Sequence, residues 1–175
     1  MNRFLEEVCT LEWHEHHDRG RPVEESCEEL ALAHPDQADL IRAWGRRSAE
    51  MVSGPIEGSV AILRELLEAG VRCYALTNME RETYPQRTER FGFMSWFDGS
   101  VVSGFEGVAK PDSEIFELLL TRFGLRAQTT LLIDDSAANV EGARAVGMPA
   151  LRFTTPEDLR AELVGMGLLR PNSGC

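Results

Sequence analysis

The chain has 175 residues, which is near the usual size of one domain and leaves room for one sizeable core. Its formal net charge of −11 argues against nucleic acid or an anionic membrane as a partner, because clustered Lys and Arg bind such surfaces. No run approaches the length of a membrane span, and the acidic start MNRFLEEVCTLEWHEHH lacks the apolar segment of a signal peptide, so the sequence predicts a cytoplasmic protein.

The sequence pattern of the first part of the chain, residues 1–52, predicts a series of helices. Near-helical spacing of apolar residues predicts helices over 2–17, 22–33 and 37–52, with breaks at Asp18-Arg19-Gly20 and Pro35. No strand-like run occurs in this part. We therefore predict an all-helical N-terminal region.

From Ser53 the pattern changes to helices that alternate with short apolar runs. The helices are predicted over 55–70, 113–123 and 137–146, with one containing Pro85 and a last one from Pro156. The predicted strands are 71–76, 99–103, 129–133 and 150–153. Strands separated by helices of this length predict an α/β fold with a parallel sheet covered on both faces.

Polar residues stand where these strands end or in the loops beyond them. Thr77 and Asn78 follow one strand, Asp134 and Asp135 follow another, and Lys110 precedes a helix. In an open parallel sheet, ligands bind beyond the carboxyl ends of the strands. A hydroxyl there is commonly a helix cap, and a lone Lys before Pro is usually solvated. Two adjacent carboxylates repel each other, however, and need a cation or hydrogen-bond donors to offset that repulsion.

In this order and spacing the motifs resemble those of the haloacid dehalogenase superfamily of hydrolases, over about residues 4–169. LTN resembles its second motif, GVAKPDSEIF its third and LLIDDSAANVEGARAVGM its fourth, in which Asn139 follows the acidic pair. The resemblance implies a Rossmann-like three-layer α/β core over 53–175 and an all-helical cap over 1–52. The segment FLEEVCTLEWHEHHDRG is most similar to the small helical caps of the sugar-phosphate phosphatase branch.

The resemblance also implies a role for each site residue. Asp135 ligates Mg²⁺, a hard cation that prefers carboxylate and water oxygens. Asp134 also belongs to the metal site and acts mainly by orienting a water or Lys110. Lys110 neutralises charge on the transferred phosphoryl group, while Thr77 and Asn78 bind its oxygens. Positioning and charge stabilisation of this kind are most of what phosphoryl transfer needs.

One motif of the superfamily has no counterpart in these residues. Its first strand ends in Asp-x-Asp or Asp-x-Gly, and the first Asp is the nucleophile that forms an aspartyl-phosphate. Asp18 follows a helical pattern, and Asp36 and Asp39 lie in the predicted cap. We therefore expect the first, central strand to be missing and the chain alone to be inactive. We also expect marginal stability, and a protein that is either a monomer or a dimer that completes the strand.

Several alternatives stay open beside a phosphatase of a small phosphorylated metabolite. A non-catalytic remnant or a binding protein would not need the missing Asp. A haloacid dehalogenase of the same superfamily would lack the acidic pair Asp134-Asp135. A two-component receiver domain would carry its acidic pair first in the chain, whereas here the order is Thr77, Lys110, Asp134-Asp135.

Two further groups of residues are predicted to be structural. A metal site is one interpretation of three nearby histidines, His14, His16 and His17. The zinc-binding motif HExxH would need His at position 18, however, and a solvated helix face is the simpler interpretation. The scattered cysteines, without a CxxC pair, are predicted to be reduced thiols; they are Cys9, Cys27, Cys73 and Cys175.

Overall fold

The computed structural model describes residues 2–171, apart from the side chains of Asn2 and Ala49, and it divides into two compact units. The first unit comprises the residues up to Ser53 together with Leu76–Met94 and Val101–Ala109. The second comprises Gly54–Ala75, Ser95–Ser100 and the residues from Lys110 onward. The first break therefore falls at Ser53, but the first unit also includes two later segments that a single boundary after residue 52 leaves out.

The N-terminal region is all-helical, as predicted, and its helices are α1 (Asn2–Glu7), α2 (Leu11–Asp18), α3 (Val23–Ala33) and α4 (Ala38–Arg47). Short 3-10 turns flank α4 at Pro35–Gln37 and Ser48–Met51. The single helix predicted over 2–17 is wrong, because the Thr10 hydroxyl accepts a hydrogen bond from the Trp13 N–H at 3.2 Å and begins a new helix there.

The first unit has its own apolar core. Its buried residues come from α3, α4 and the segment after α1, and they are Val8, Cys9, Val23, Cys27, Ala31 and Ile41. Gly45 permits close packing of α4 on α3, because a Cβ at that position would lie 2.5 Å from Cys27 Sγ. Cys9, Cys27 and Cys73 are free thiols, as predicted, and Cys175 lies outside the described residues.

The solvated face predicted for the three histidines is wrong for His17. This side chain is 1% exposed, and its ring centroid lies 4.3 Å from that of Trp13. Burial, and then the neighbouring His14, lower the pKa of His17 to about 4, so the ring is neutral at pH 7. Among residues 2–171 there is no group of three or more His, Cys, Asp or Glu side chains that could hold a metal ion.

Beyond Ser53 helices and strands alternate, as the sequence predicts. In chain order they are α5 (Glu57–Glu68), β1 (Tyr74–Thr77), α6 (Thr83–Arg90), β2 (Gly99–Val102), α7 (Ser103–Glu106), α8 (Ser113–Phe123), β3 (Leu132–Asp134), α9 (Ala137–Ala145), β4 (Ala150–Arg152) and α10 (Pro156–Gly165). The short helix α7 was not predicted. None of the helices described is long and apolar enough to cross a bilayer.

The four strands of the described chain form two ladders. β1 pairs with β2, and β3 pairs with β4 in parallel, with Leu132 opposite Ala150 and Asp134 opposite Arg152. The core of the second unit lies between β3, β4 and the helices α5 and α10. Its buried residues are Ile62, Leu66, Leu159, Leu163 and Leu169. The parallel pairing ends β3 at Asp134, which places this carboxylate at the carboxyl end of the ladder.

Candidate active site

Lys110 and Asp134 form a buried ion pair in the second unit. Lys110 Nζ donates to Asp134 Oδ2 at 2.6 Å, and the two side chains are only 9% and 5% exposed. Asp134 ends β3, whereas Lys110 lies in the loop before α8. A buried charge is costly unless it is paired and hydrogen-bonded, so each of these groups depends on the other.

The other oxygen of Asp134 is also hydrogen-bonded. Oδ1 accepts from the backbone N–H of Ser136 and from Asn139 Nδ2, each at 2.9 Å. Burial acts to raise the pKa of Asp134, but the hydrogen bond and charge of Lys110, together with Asn139 and Ser136, outweigh it and hold the pKa below 3.8. Asp134 is therefore a fixed anion that orients the Lys110 ammonium.

Local sequence explains why these groups meet. Ser136 is the N-cap of α9, and its hydroxyl accepts from the Asn139 N–H at 3.4 Å, which starts the helix directly after the acidic pair. Gly142 in the same helix permits close approach of the Lys110-Pro111 loop, because a Cβ there would lie 2.5 Å from Pro111 O. The peptide bond between Lys110 and Pro111 is cis.

Asp135 has a different environment from its neighbour. Its side chain is exposed, and among the described residues its carboxylate makes no hydrogen bond or ion pair, although its backbone carbonyl accepts from Arg152 Nε at 3.2 Å. Mg²⁺ is commonly held by one or two carboxylates together with water and phosphate oxygens, and it does not need a cluster of three acids. The exposed carboxylate of Asp135 beside the engaged Asp134 fits that donor set.

Thr77 and Asn78 lie in the first unit, at and just after the end of β1. The Thr77 hydroxyl donates to the Asn78 carbonyl at 3.4 Å, and the loop that follows is held by Ser103, whose Oγ accepts from the Met79 N–H at 3.0 Å. The predicted convergence of Thr77 and Asn78 with Lys110 on one phosphoryl group stays a prediction.

The second unit thus brings together two predicted site residues, Lys110 and Asp134, and places Asp135 next to them in the chain. Asn139 of the fourth motif joins the same hydrogen-bond network. The backbone N–H of Ser136 was not predicted to take part. The pattern Asp-Asp-Ser-x-x-Asn contained the signal, since Ser two residues after the end of a strand is a common helix N-cap.

Comparison with known proteins places these motifs in a family. The family model of haloacid dehalogenase-like hydrolases matches residues 7–147. A sesquiterpene phosphatase of Aspergillus oryzae is 38% identical over 94 residues, which are 54% of this chain and 48% of that protein. A ribulose-1,5-bisphosphate 5-phosphatase of Halopiger xanaduensis is 34% identical over 97 residues, covering 55% of this chain and 41% of that one. The chain thus spans about half the length of these curated relatives.

The fold is shared with solved enzymes of the same family. A haloacid dehalogenase family enzyme of Bacteroides thetaiotaomicron superposes with a TM-score of 0.74 at 19% identity, covering 93% of this chain and 84% of that one. The same enzyme has been solved in complex with magnesium and inorganic phosphate, and that form superposes with a TM-score of 0.70 at 19% identity, over 87% of this chain and 80% of that one. The predicted Rossmann-like α/β fold with a helical cap is confirmed, and the chain belongs to the haloacid dehalogenase-like hydrolase family.

Proposed function

We propose that this chain carries the phosphate-binding and metal-binding residues of a magnesium-dependent phosphatase for a small phosphorylated metabolite. The single observation that carries the proposal is the buried contact of Lys110 with Asp134, beside the exposed carboxylate of Asp135. This arrangement offers one fixed cation, the Lys110 ammonium, and one available carboxylate ligand, that of Asp135, at the carboxyl end of β3.

Lys110 acts in the proposed reaction as a positioned positive charge. Its ammonium is held on Asp134 at 2.6 Å, and Asp134 is itself held by Ser136 and Asn139. A cation fixed in advance stabilises the charge of a transferring phosphoryl group without reorganisation during the reaction. Thr77 and Asn78 supply hydrogen bonds to the phosphoryl oxygens in the proposed scheme.

The proposed metal ligand is Asp135, supported by Asp134. When bound, Mg²⁺ supplies charge neutralisation at the phosphate oxygens. The Bacteroides enzyme that shares this fold was solved in complex with magnesium and inorganic phosphate, which supports the assignment at the level of the family. The acidic pair favours a phosphatase over a dehalogenase, which needs no such ligands.

The nucleophile is the remaining part of the proposal. The resemblance implies an Asp at the end of a strand, and none of the strands described here carries such a residue upstream of Thr77. We propose that turnover passes through an aspartyl-phosphate only when a strand ending in Asp-x-Asp is present, and that these 175 residues alone are inactive. A non-catalytic remnant or a binding protein is the alternative, and it predicts ligand binding without turnover.

The experiment compares the chain with a form that carries a fused apolar strand ending in Asp-x-Asp and a short loop ahead of Met1. Hydrolysis of p-nitrophenyl phosphate is measured with about 5 mM MgCl₂ and, in a separate assay, with EDTA to remove Mg²⁺. Magnesium-dependent turnover by the fused form alone supports the proposal. Lys110→Met in the fused form should remove that turnover, and the exposed Arg3→Met should not. Turnover by the purified 175-residue chain would contradict the assignment of the nucleophile.

A further inference from the structure

The loop after β1 is clamped against the segment that begins α7. The Met79 N–H donates to Ser103 Oγ at 3.0 Å, and the Gly104 N–H donates to the Met79 carbonyl at 3.1 Å. Ser103 is fully buried. Two hydrogen bonds therefore fix the backbone immediately beyond Thr77 and Asn78, all within the first unit.

Gly104 has no room for a side chain at this crossing. A Cβ there would lie 2.5 Å from the Arg81 backbone nitrogen and 2.6 Å from the Met79 carbonyl oxygen. At the same crossing the Gly104 carbonyl accepts a hydrogen bond from Arg81 Nε at 3.2 Å. One end of the Arg81 guanidinium is therefore fixed to the backbone.

An aromatic pair fixes the same guanidinium from another side. Arg81 Cζ lies 5.7 Å from the ring centroid of Phe105, and the Tyr84 ring stands perpendicular to that ring with centroids 6.2 Å apart. Phe105 is 46% exposed, although it is a large apolar side chain. Stacking on an aromatic ring restricts an arginine in advance and lowers the entropy lost when it binds a ligand.

Arg81 has no carboxylate partner among residues 2–171, even though it lies between two acids in the sequence. The neighbouring Glu80 carboxylate instead accepts from the Thr83 hydroxyl. Asp and Glu number 29 against 18 Lys and Arg in this chain, so acidic residues are plentiful, yet Arg81 is held by a backbone carbonyl instead. Its remaining N–H groups form the planar fork that matches carboxylate and phosphate oxygens.

We propose that Arg81 binds a second anionic group of the substrate, a carboxylate or another phosphate, distinct from the phosphoryl group that is transferred. The inference rests on the proposed phosphatase function and narrows its substrate to a metabolite with two anionic groups. Arg81 is four positions after Thr77, so their Cα atoms are at most roughly 14 Å apart, within reach of the two ends of one small molecule.

The test compares two ligands that differ only in the second anion. Phosphoglycolate carries a carboxylate, and ethyl phosphate carries a methyl group in its place. Calorimetric titration of the 175-residue chain in MgCl₂ should give at least roughly tenfold tighter binding of phosphoglycolate, since a charge-assisted hydrogen bond is replaced by none in ethyl phosphate. The Arg81 Nε–H signal in a ¹⁵N correlation spectrum should shift with phosphoglycolate only.

Arg81→Gln should abolish this preference while leaving the affinity for ethyl phosphate unchanged, and Arg81→Lys should keep part of it. The matched control is Arg90→Gln, because Arg90 also stacks on a phenylalanine, with Cζ 4.9 Å from the Phe91 ring centroid, but lies at the end of α6. Equal affinities for the two ligands would overturn the inference and leave the phosphatase proposal standing. If neither ligand bound, both this inference and the phosphatase proposal would be overturned.

Discussion

Lys110 Nζ and Asp134 Oδ2 lie 2.6 Å apart, although 24 residues separate them in the chain. This contact joins the loop before α8 to the end of β3, and it is almost fully buried. When one member of a buried ion pair is removed, the other charge remains without compensation, and that costs more than replacing both by apolar groups.

We expect Lys110→Met to lower the free energy of unfolding by about 3 kcal/mol, because it leaves the Asp134 carboxylate buried without its cation. The double variant Lys110→Met/Asp134→Leu should recover much of that loss. Urea unfolding of the wild type, both single variants and the double variant gives the coupling energy. The control is Arg47→Met, which breaks an exposed pair with Glu50 and should have a much smaller effect. Additive losses in the double variant would contradict a coupled pair.

Substitutions of the two adjacent aspartates should have different effects, one on Mg²⁺ affinity and the other on stability. Asp135→Asn should weaken Mg²⁺ binding about tenfold without a loss of stability, because its carboxylate is exposed and makes no hydrogen bond or ion pair with the described residues. Asp134→Asn should mainly lower the free energy of unfolding, since it breaks the ion pair with Lys110. Calorimetric titration with MgCl₂ and thermal unfolding in EDTA measure the two effects. Asp39→Asn, an exposed acid of α4, is the control, and an unchanged Mg²⁺ affinity in Asp135→Asn would remove that residue from the metal site.

Asp18 at the end of α2 should make stability depend on pH. Burial, then the charges of Glu80 and Glu15, raise the pKa of Asp18 from 3.8 to about 6. A raised carboxyl pKa means that the folded state binds a proton that the unfolded state has lost, so stability falls as pH rises from about 4 to about 6.

Replacing this carboxyl with a neutral amide removes the penalty. Asp18→Asn should be more stable than the wild type by about 1–2 kcal/mol at pH 7.5, a value reduced from the full linkage because the side chain is partly exposed, and should gain nothing near pH 4. Urea unfolding across this range measures the difference, with Asp39→Asn as the control. A gain of the same size at both ends of the range would show that Asp18 titrates normally.

Gly104→Ala should disrupt the crossing of the two loops. The added Cβ meets backbone atoms of Arg81 and Met79, which cannot move aside as a side-chain end can, so we expect a loss of about 1–3 kcal/mol. Hydrogen exchange at the Met79 and Gly104 amides should accelerate in the same variant. Gly92→Ala is the control, because a Cβ at Gly92 meets nothing within 4 Å. Equal effects of the two substitutions would contradict a specific clash at Gly104.

The order of elements could be predicted from sequence because hydrophobic periodicity and the residues that begin or end a helix or strand are local properties. The starts of β2 and β4 were predicted correctly at residues 99 and 150, whereas those of β1 and β3 were placed three residues too early. Residues 71–76 were predicted as strand, but the Val71 N–H donates to the Leu66 carbonyl in the C-terminal cap of α5, and β1 begins at Tyr74. Residues 129–133 were predicted as strand as well, yet the Thr130 hydroxyl donates to the Arg126 carbonyl at 2.9 Å, and β3 begins at Leu132. Local hydrogen bonds to caps and turns compete with strand pairing.

The site shows the same limit. The resemblance distinguished the two aspartates, because it assigned Asp134 to orienting a water or Lys110 and Asp135 to the metal. It did not give the partners of the other Asp134 oxygen, which are the Ser136 N–H and Asn139 Nδ2. Those contacts depend on the position of α9, and hence on Ser136 as its cap and Gly142 as its contact with Pro111. His17 was misassigned for a related reason. A polar residue on α2 was expected in solvent, whereas the Trp13 ring packs against it.

The ion pair of Arg160 with Glu65 has a consequence for biosynthesis. Arg160 Nη1 donates to Glu65 Oε2 at 2.9 Å across 95 residues of sequence, and it joins α10 to α5 over the core of Ile62, Leu66, Leu159 and Leu163. While the chain emerges from the ribosome, the apolar side of α5 lacks its contacts with Leu159 and Leu163 until α10 is synthesised. Closing such a long loop is slow, and exposed apolar surface on a nascent chain favours aggregation. The core of the second unit therefore closes only after α10 has been synthesised, and α5 needs protection from aggregation until then.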